Sequence, residues 1–471
     1  MGFDTSRRAF LASIAAPLAP AVLLAQAKKK MNVMFIAADD LNTTLGCYGH
    51  PEVKTPNVDR LAAMGVRFDR AYCQFPLCGP TRSSLMTSMR PDTTQVLENN
   101  VDFRQFLPNV VTLPQLFKQN GWWAAREGKM YHMNVPAEVT SPKYQDPASW
   151  DHSVSPGGPE LGSEGTVQRL SKSPGNFGMQ WMATRDGKGQ SDTNAADHAL
   201  TLLEQHKDKP FFFGLGFVRP HLPFVAPQKF YDMYPLDKIP LPVNPPGDLD
   251  DIPAAHKAIR PQLWNNMKMD ADLIRQARRG YYASTSFMDE QLGRVLDGME
   301  RMGLMENTII VFWGDHGWSL GEHTHWQKMN LMEESTHVPL IIRVPGKKGN
   351  GKVCRSLVEF VDIYPTLAEL CGLKAPDDLQ GQSMTRLLDN PSKPFKKAAF
   401  TQIKFEDIVG RSVRTDRYRY TAWEGKGGGE ELYDHQKDPD EFTNLAVKPE
   451  AKVVLEKHRA VLKAGWKAAR A

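Results

Sequence analysis

The chain has 471 residues, of which 41% are hydrophobic and 24% are charged, and its formal net charge is +4. This length and composition are typical of a globular protein with one large domain and a smaller one. Lysines and arginines are not clustered with aromatic side chains, so the composition gives no reason to expect a nucleic-acid partner.

The first 27 residues are typical of an export signal. An Arg7-Arg8 pair precedes an apolar run over residues 14–24, and a small-residue cleavage site (Ala-Gln-Ala) follows at 25–27. We therefore predict a twin-arginine signal peptide over 1–27 and a periplasmic or secreted protein. The alternative is an uncleaved anchor, but the apolar run is too short to span a bilayer. No later stretch is apolar enough to span one, so stable membrane insertion is not expected.

A nearly continuous apolar run over residues 32–38 predicts a fully buried strand of a parallel sheet. This strand ends in Asp39 and Asp40. Two adjacent carboxylates repel each other beside an apolar strand end, which favours a metal ion as their counter-charge. The alternative is a helix cap or a solvated turn.

The next elements lead to a cysteine at the start of a helix. We predict a helix over 55–65 and a strand over 66–72, followed by a helix that begins near Cys78. Pro80 suits the first turn of that helix, and Arg82 lies one turn after Cys78. Free N–H groups at a helix start, together with an arginine, favour an anion next to the thiol. The alternative is a structural cysteine buried at a helix cap.

A further loop follows another predicted strand. A helix over 112–121 and a strand over 122–125 lead to Lys129 and His132, which without other context would be surface residues. Residues 133–190 are rich in Gly, Pro and Ser and have little periodicity. We expect them to form an irregular surface excursion that shapes a substrate pocket.

The middle of the chain contains two predicted helices, a predicted buried strand and one more candidate site residue. A helix over 192–207 precedes a buried strand over 211–217, and a long scaffold helix covers 270–301. His221 follows the strand, between two prolines. Ligands of open α/β sheets gather at such a strand end, although a histidine held between prolines can also be purely structural.

The strand predicted over 308–313 is followed directly by Asp315 and His316. Because the carboxyl ends of parallel strands meet at one edge of a sheet, we expect these two residues to lie beside Asp39 and Asp40. Three carboxylates and one imidazole favour a hard divalent cation.

The C-terminal part predicts a separate small subdomain. A helix over 362–370 and a linker over 377–394 precede several short strands and a final helix over 449–467. The predicted strands cover 399–403, 412–415, 418–422 and 431–433. We therefore expect an α/β protein with a large central mixed sheet flanked by helices over 28–395, and a C-terminal antiparallel sheet with a helix over 396–471.

Four cysteines besides Cys78 have no assigned function. After export they could form two disulfides, in three possible connectivities, or stay as free buried thiols. They are Cys47, Cys73, Cys354 and Cys371.

The segment 77–87, Leu-Cys-Gly-Pro-Thr-Arg-Ser-Ser-Leu-Met-Thr, resembles the signature of type I sulfatases. In that family the cysteine is oxidised after synthesis to formylglycine, an aldehyde whose hydrate is the nucleophile. Ser88 stands where the family pattern usually has Gly. Lys129, in a Gly-Lys pair, and the nearby His132 resemble the second signature of the family.

Four further segments look like the iduronate-2-sulfatase group and its bacterial relatives in particular. They are the run over 314–323, Gly-Asp-His-Gly-Trp-Ser-Leu-Gly-Glu-His, the segments 326–328 and 336–340, and the loop over 219–221. Many other sulfatases carry Asn where His316 stands. The likeness covers most of the chain from Asn32 onward.

The resemblance implies an alkaline-phosphatase-like fold and formylglycine (3-oxoalanine) at residue 78, made by a formylglycine-generating or sulfatase-maturating enzyme. It implies a Ca²⁺ ion, with Mg²⁺ as the alternative, held by Asp39, Asp40, the modified Cys78, Asp315 and His316. It implies that sulfate is neutralised by Arg82, Lys129 and Lys328. His221 would protonate the departing sugar oxygen and His132 would deprotonate the second hydroxyl of the hydrate, although the two roles could be exchanged.

We therefore expect a sulfuric ester hydrolase that acts on sulfated oligosaccharides or polysaccharides, with a 2-O-sulfate on iduronate or a related sugar as its target. One rival function is hydrolysis of phosphate or phosphonate esters on the same fold. Those relatives generally use Ser or Thr, or a modified Cys with another metal set, so Cys78 together with Arg82 favours sulfate. The other rival, a sulfated-glycan binding protein without catalysis, conflicts with the full set of metal, nucleophile and clamp residues.

Overall fold

In a computed structural model of the protein, the described residues are 1–2, 30–158, 166–169, 180–259 and 269–470. The chain divides into Met1–Lys30 and one compact unit, Met31–Ala471. The predicted signal peptide, 1–27, lies outside the described residues apart from its first two, and it stays a prediction. Among the described residues, the structure contains no helix with the length and apolar character that crossing a membrane requires.

The strands of the described residues have between two and ten residues each. They are β1 (Asn32–Asp39), β2 (Val66–Phe68), β3 (Ala71–Tyr72), β4 (Trp123–Gly128), β5 (His152–Val154), β6 (Thr166–Arg169), β7 (Gln180–Thr184), β8 (Phe211–Pro220), β9 (Phe224–Pro227), β10 (Thr308–Gly314), β11 (Ser319–Leu320), β12 (Trp326–Gln327), β13 (His337–Val338), β14 (Leu340–Arg343), β15 (Val353–Cys354), β16 (Val358–Glu359), β17 (Ala399–Phe405), β18 (Ile408–Arg414), β19 (Tyr418–Glu424) and β20 (Gly429–Asp434).

The α-helices flank the strands. They are α1 (Pro56–Met64), α2 (Cys78–Thr87), α3 (Pro91–Thr94), α4 (Leu113–Gln119), α5 (Ser191–His206), α6 (Gln228–Asp232), α7 (Ala254–Ile259), α8 (Ala271–Arg301), α9 (Glu333–Thr336), α10 (Ile363–Leu370), α11 (Thr385–Asp389) and α12 (Lys452–Ala468). Their ends follow local sequence signals: Pro56 begins α1, and the Asp270 side chain accepts a hydrogen bond from the Leu273 N–H at the start of α8.

An eight-stranded mixed sheet forms the centre of the fold, in the order β15-β2-β14-β10-β1-β8-β4-β5. The middle strands β10, β1, β8 and β4 are parallel, and β14 is antiparallel to β10. In this register Ala38 lies level with Gly314 on one side and Phe217 on the other. The carboxyl ends of β1, β8 and β10 therefore share one edge of the sheet.

Both faces of β1 are covered, which explains its continuous apolar sequence. Val33 and Phe35 belong to one core, which includes Trp313. Met34 and Ile36 face the opposite core, which is closed by α8. The predicted mixed sheet with helices on both faces is confirmed.

The C-terminal strands β17 to β20 form a four-stranded antiparallel sheet. Val413, Tyr420 and Leu432 of this sheet share a core with Leu455 of α12. The predicted small antiparallel sheet with a helix is therefore confirmed, while the boundary at residues 395 and 396 stays a prediction.

Three local predictions are wrong. The strand expected over 66–72 is two short strands, β2 and β3, in different sheets. The excursion over 133–190 contains β5, which joins the edge of the central sheet beside β4, and β7, which pairs with β9. The linker over 377–394 contains α11. Each of these elements is short and depends on tertiary pairing, so its own sequence carries little periodic signal.

All five cysteines lie within the described residues, and all are free thiols. Cys73 and Cys354 are buried, as the free-thiol alternative expected, whereas Cys47 and Cys371 are only half-buried.

Candidate active site

The predicted site residues meet at the carboxyl edge of the central sheet. Asp39 ends β1, and Asp315 and His221 follow the ends of β10 and β8. Helix α2 begins at this edge and is buried along its whole length, so that Cys78 at its first position faces the carboxylates. The sequence-based expectation that these distant segments converge agrees with the structure.

Cys78 is the centre of the cluster and is fully buried. Its Sγ lies 3.3 Å from His316 Nε2, 3.2 Å from Lys328 Nζ and 3.9 Å from an oxygen of Asp40. Burial and Asp39 would raise the pKa of this thiol, but Lys328 and Lys129 outweigh them and lower it. The environment at this atom therefore favours a negatively charged nucleophile.

The guanidinium group of Arg82 supplies positive charge next to the carboxylates of Asp39 and Asp315. It is fully buried; its Nε donates to Asp315 at 2.9 Å and its Nη2 donates to Asp39 at 3.0 Å. Its Nη1 donates to the carbonyl oxygen of Met130 at 3.1 Å and also to that of Lys129. This arginine thus joins the ends of three strands, while its predicted contact with sulfate stays a prediction.

Two lysines neutralise the second oxygen of Asp39 and one oxygen of Asp40. Lys129 is fully buried and hydrogen-bonds to Asp39, and Lys328 Nζ donates to Asp40 at 2.6 Å. Burial would raise the pKa of Asp39, but Lys129 and the neighbouring cations hold it well below its usual range. For Asp40 burial prevails over Lys328 and raises the pKa to about 7.

The residues predicted to hold a metal ion fit one in their chemistry. The His316 ring has its Nδ1 3.0 Å from the Gly317 carbonyl oxygen, which leaves Nε2 directed at Asp40 and Cys78 as a ligand nitrogen. Asp40 Oδ2 is buried and has no hydrogen-bond partner in the part of the chain that the structure describes. Potential ligand atoms lie within 4.8 Å of one another in two groups: Asp39, Asp40, Cys78 and His221, and Cys78, Asp315 and His316. A site so rich in carboxylate oxygen suits Ca²⁺ or Mg²⁺.

The two remaining site histidines, His132 and His221, line a cavity that borders the cluster. His221 Nε2 lies 3.8 Å from Asp40 and 3.9 Å from Asp39. Burial lowers the pKa of His132 to about 3, with Lys129 adding to the effect, and burial also holds the pKa of His221 well below its usual range. Both rings are therefore neutral at physiological pH in this arrangement.

A cavity of about 600 Å³ opens onto four of the site residues: Asp40, His132, His221 and Lys328. Its lining includes residues to which the sequence assigned no role in the site: Leu77, Glu98, Asn99, Asn100, Asn134, Glu138, Trp318 and Gln327. Trp318 and Asn134 lie within two residues of predicted site residues, a proximity that could have marked them. The loop around Glu98 carries no such sequence signal.

The departure at Ser88 from the type I sulfatase pattern has a local explanation. Ser88 ends α2 with φ of 54°, a left-handed conformation that favours glycine. Its hydroxyl donates to the Val361 carbonyl at 2.6 Å and accepts from the Gly381 N–H at 3.1 Å. These bonds help to hold serine in a backbone conformation that glycine adopts freely.

Comparison with known proteins now identifies the family. The chain matches the family described as Sulfatase over residues 31–373, and residues 321–467 match the C-terminal family of N-sulphoglucosamine sulphohydrolase. The chain belongs to the sulfatase family. It is a sulfuric ester hydrolase, as expected from the Cys78 signature.

Two curated relatives extend this sulfatase match. A sulfatase from Formosa agariphila is 34% identical, with 92% of this chain and 86% of the relative covered. The human iduronate 2-sulfatase is 30% identical, with 84% of this chain and 85% of the relative covered.

The fold also has solved counterparts. The phosphonate monoester hydrolase of Agrobacterium radiobacter superposes with a TM-score of 0.76 at 22% identity, covering 93% of this chain and 96% of that protein. At this identity the likeness shows the fold alone. The expected alkaline-phosphatase-like sulfatase fold is confirmed.

Proposed function

We propose that this sulfatase removes sulfate esters from sulfated oligosaccharides or polysaccharides, using formylglycine at residue 78 and a bound Ca²⁺ ion, with a 2-O-sulfate on a uronic acid as its target. The observation that carries the proposal is the position of Cys78. Its Sγ lies at a buried helix start, next to a lysine, an imidazole and a carboxylate.

Formylglycine, once formed, supplies a hydrated aldehyde whose oxygen acts as the nucleophile on sulfur. The chain supplies the charges around that oxygen. Lys328 touches both Cys78 and Asp40, and Lys129 approaches from the side of Asp39. In a dry site such preorganised cations stabilise the negative charge that develops on the sulfate oxygens.

Asp39, Asp40, Asp315 and His316 would hold the cation, together with residue 78. A divalent cation in this position supplies Lewis-acid polarisation of the sulfate and favours the ionised form of the nucleophile. Arg82 holds Asp39 and Asp315 in place by donating one hydrogen bond to each carboxylate. The ligands are thereby oriented before any ion arrives.

The two neutral histidines supply proton transfer. His221 lies beside the carboxylates and lines the cavity, and after its ring takes up a proton from solvent it can protonate the departing sugar oxygen. His132 lines the same cavity and suits removal of a proton from the second hydroxyl of the hydrate. The two roles could be exchanged between these rings.

The substrate class is supported by the cavity and by the human relative. A volume of about 600 Å³ accommodates a sugar unit, and the amides of Asn99 and Asn100 in its lining offer hydrogen-bonding groups for sugar hydroxyls. The human relative is named for a 2-sulfate on iduronate. Phosphonate ester hydrolysis is the second candidate, because a phosphonate monoester hydrolase has the same fold.

Peptide mass spectrometry across residue 78 tests the nucleophile, on protein co-expressed with a formylglycine-generating or sulfatase-maturating enzyme. We expect the mass of the aldehyde. Turnover is then compared on a 2-O-sulfated uronate disaccharide, a 6-O-sulfated hexosamine, an aryl sulfate and an aryl phosphonate monoester. Fastest hydrolysis of the phosphonate, or unmodified cysteine in active enzyme, would overturn the proposal.

Two variants accompany this assay. Cys78→Ala is expected to keep its fold, seen by circular dichroism, and to lose turnover. Cys371→Ala is the matched control, because this half-buried thiol lies at the end of α10 rather than among the site residues. Equal activity of the two variants would reject Cys78 as the nucleophile.

We also propose that the protein is exported by the twin-arginine pathway to the periplasm or beyond, on the strength of the Arg7-Arg8 pair and the apolar run that follows. Replacing both arginines with lysine is expected to retain the protein in the cytoplasmic fraction. Unchanged export of this variant would contradict the proposal.

A further inference from the structure

Behind His132, two polar side chains form a chain of hydrogen bonds. His132 Nε2 lies 3.1 Å from Asn134 Oδ1, and Asn134 Nδ2 donates to Glu138 Oε2 at 2.7 Å. All three residues line the same cavity as Asp40 and Lys328, the two residues whose side chains contact Cys78. His132 is the base of the proposed reaction, whereas Asn134 and Glu138 have no part in the proton transfers described for it.

This chain of bonds determines which ring nitrogen carries the hydrogen. A carboxylate only accepts hydrogen bonds, so Asn134 turns its NH₂ group towards Glu138. Asn100 Oδ1, 3.4 Å from the same NH₂ group, is a second acceptor there. The carbonyl oxygen of Asn134 therefore faces His132, and Nε2–H of the ring is the donor. In the neutral ring, Nδ1 then keeps its lone pair.

The other ring nitrogen, Nδ1, has no hydrogen-bond partner among the described residues. His132 is 5% exposed, and this nitrogen is buried. A buried polar atom left unpaired is destabilising, and such atoms are concentrated at functional sites. The charged groups that act on this ring are Lys129, Asp39 and Lys328, and they lie towards the reacting centre.

We propose that Asn134, held by Glu138, is a positioning residue that sets the tautomer and the ring orientation of His132, so that Nδ1 is the atom that accepts a proton during turnover. The inference rests on the proposed function, because it takes the base role of His132 from there. It goes further by naming the accepting atom and the residues that select it.

The O–H bond of the second hydroxyl on hydrated residue 78 breaks, its electron pair stays on oxygen, and an N–H bond forms at Nδ1. The resulting imidazolium donates from Nε2 to Asn134, and the Glu138 carboxylate offsets part of its charge through the shared amide. Release of the Nδ1 proton to water restores the neutral ring.

The tautomer is measured directly, without reference to activity. In ¹⁵N-histidine-labelled protein, the signals of His132 are assigned by their loss in His132→Gln. We expect the chemical shifts of a protonated Nε2 and an unprotonated Nδ1, and we expect Asn134→Leu to shift the ring towards a mixture of tautomers. A wild-type ring protonated at Nδ1 would overturn the inference.

Kinetics provide the second test. Asn134→Leu removes the acceptor at nearly constant volume and is expected to lower kcat about 10–100-fold, with KM changed less than about threefold. Asn134→Asp keeps an acceptor for Nε2–H and adds a negative charge. It is therefore expected to recover part of the rate and to move the acidic limb of the kcat/KM profile to higher pH by about one unit.

Glu138→Gln is expected to lower kcat about 3–10-fold because the imidazolium loses its counter-charge. Glu204→Gln is the matched control, since Glu204 pairs with Lys207 on the exposed face of α5. Rates for Asn134→Leu within threefold of wild type and an unmoved pH profile for Asn134→Asp would reject the positioning role. An inactive but modified wild-type enzyme would instead reject the proposed function, while the tautomer measurement would still stand.

Discussion

Replacing Arg82 with methionine tests whether this arginine holds the buried carboxylates in place. The side chain makes bonds of 2.9 Å to Asp315 and 3.0 Å to Asp39, and all three side chains have no solvent exposure. Methionine keeps much of the apolar stem but removes the charge. Two carboxylates then remain in the protein interior with fewer cations to neutralise them.

The expected loss of stability follows from these contacts. A hydrogen bond to a charged group is worth about 1.5–3 kcal/mol, and two such bonds are lost. Lys129 still neutralises Asp39, which limits the loss. We therefore expect the free energy of unfolding to fall by about 3–5 kcal/mol, the range measured when one partner of a buried ion pair is removed.

The measurement is urea unfolding followed by tryptophan fluorescence, with a chelator present so that every variant is free of metal. Arg60→Met is the matched control, because Arg60 forms an ion pair with Asp297 at 2.7 Å with both side chains at least 38% exposed. Such a pair contributes about 0–1 kcal/mol. A loss below 1 kcal/mol for Arg82→Met, or equal losses for both variants, would refute the reasoning.

Three further predictions concern the metal, acid stability and substrate charge. Asp315→Asn is expected to bind less calcium in elemental analysis, and a wild-type content would contradict its ligand role. Burial would raise the pKa of Glu359, but Arg90 and Lys396 outweigh it and lower the pKa from 4.5 to about 2. Because the folded-state pKa is depressed, this group stabilises the protein above pH 4.5, and that contribution is lost as the pH falls towards 2. Glu359→Gln should therefore flatten the pH dependence of unfolding in this window, and an unchanged slope would be contrary evidence. Glu98→Gln removes an exposed negative charge at the cavity, so KM for a disulfated disaccharide should fall about twofold at low salt and be unchanged at high salt.

Much of the fold could be predicted because its strongest signals are local. The apolar runs that became β1, β8 and β10 are each long enough to specify a buried strand, and the residues that follow them converge at one edge of the sheet. The start of α2 at Cys78 also follows from local signals. The family signatures then linked these positions to sulfate chemistry.

The pairing of short strands could not be predicted in the same way. β5 has three residues, two of them exposed, and it joins the sheet only through its parallel pairing with β4. The residues around Glu98 likewise line the cavity although their local sequence shows no functional pattern. Such contacts join segments that are distant in the chain, so neither hydrophobic periodicity nor a turn signal reveals them.

The sequence by itself determined the type of protein: an α/β sulfatase whose carboxylates, cysteine and histidines follow strand ends or open a helix. It could do so because burial of apolar strands and the chemistry of each side chain are properties of short segments. Only the tertiary structure decided the partners of these side chains, such as Arg82 between two carboxylates and Asn134 between His132 and Glu138. Hydrogen bonds and ion pairs depend on distances of a few ångströms between atoms, and packing sets those distances.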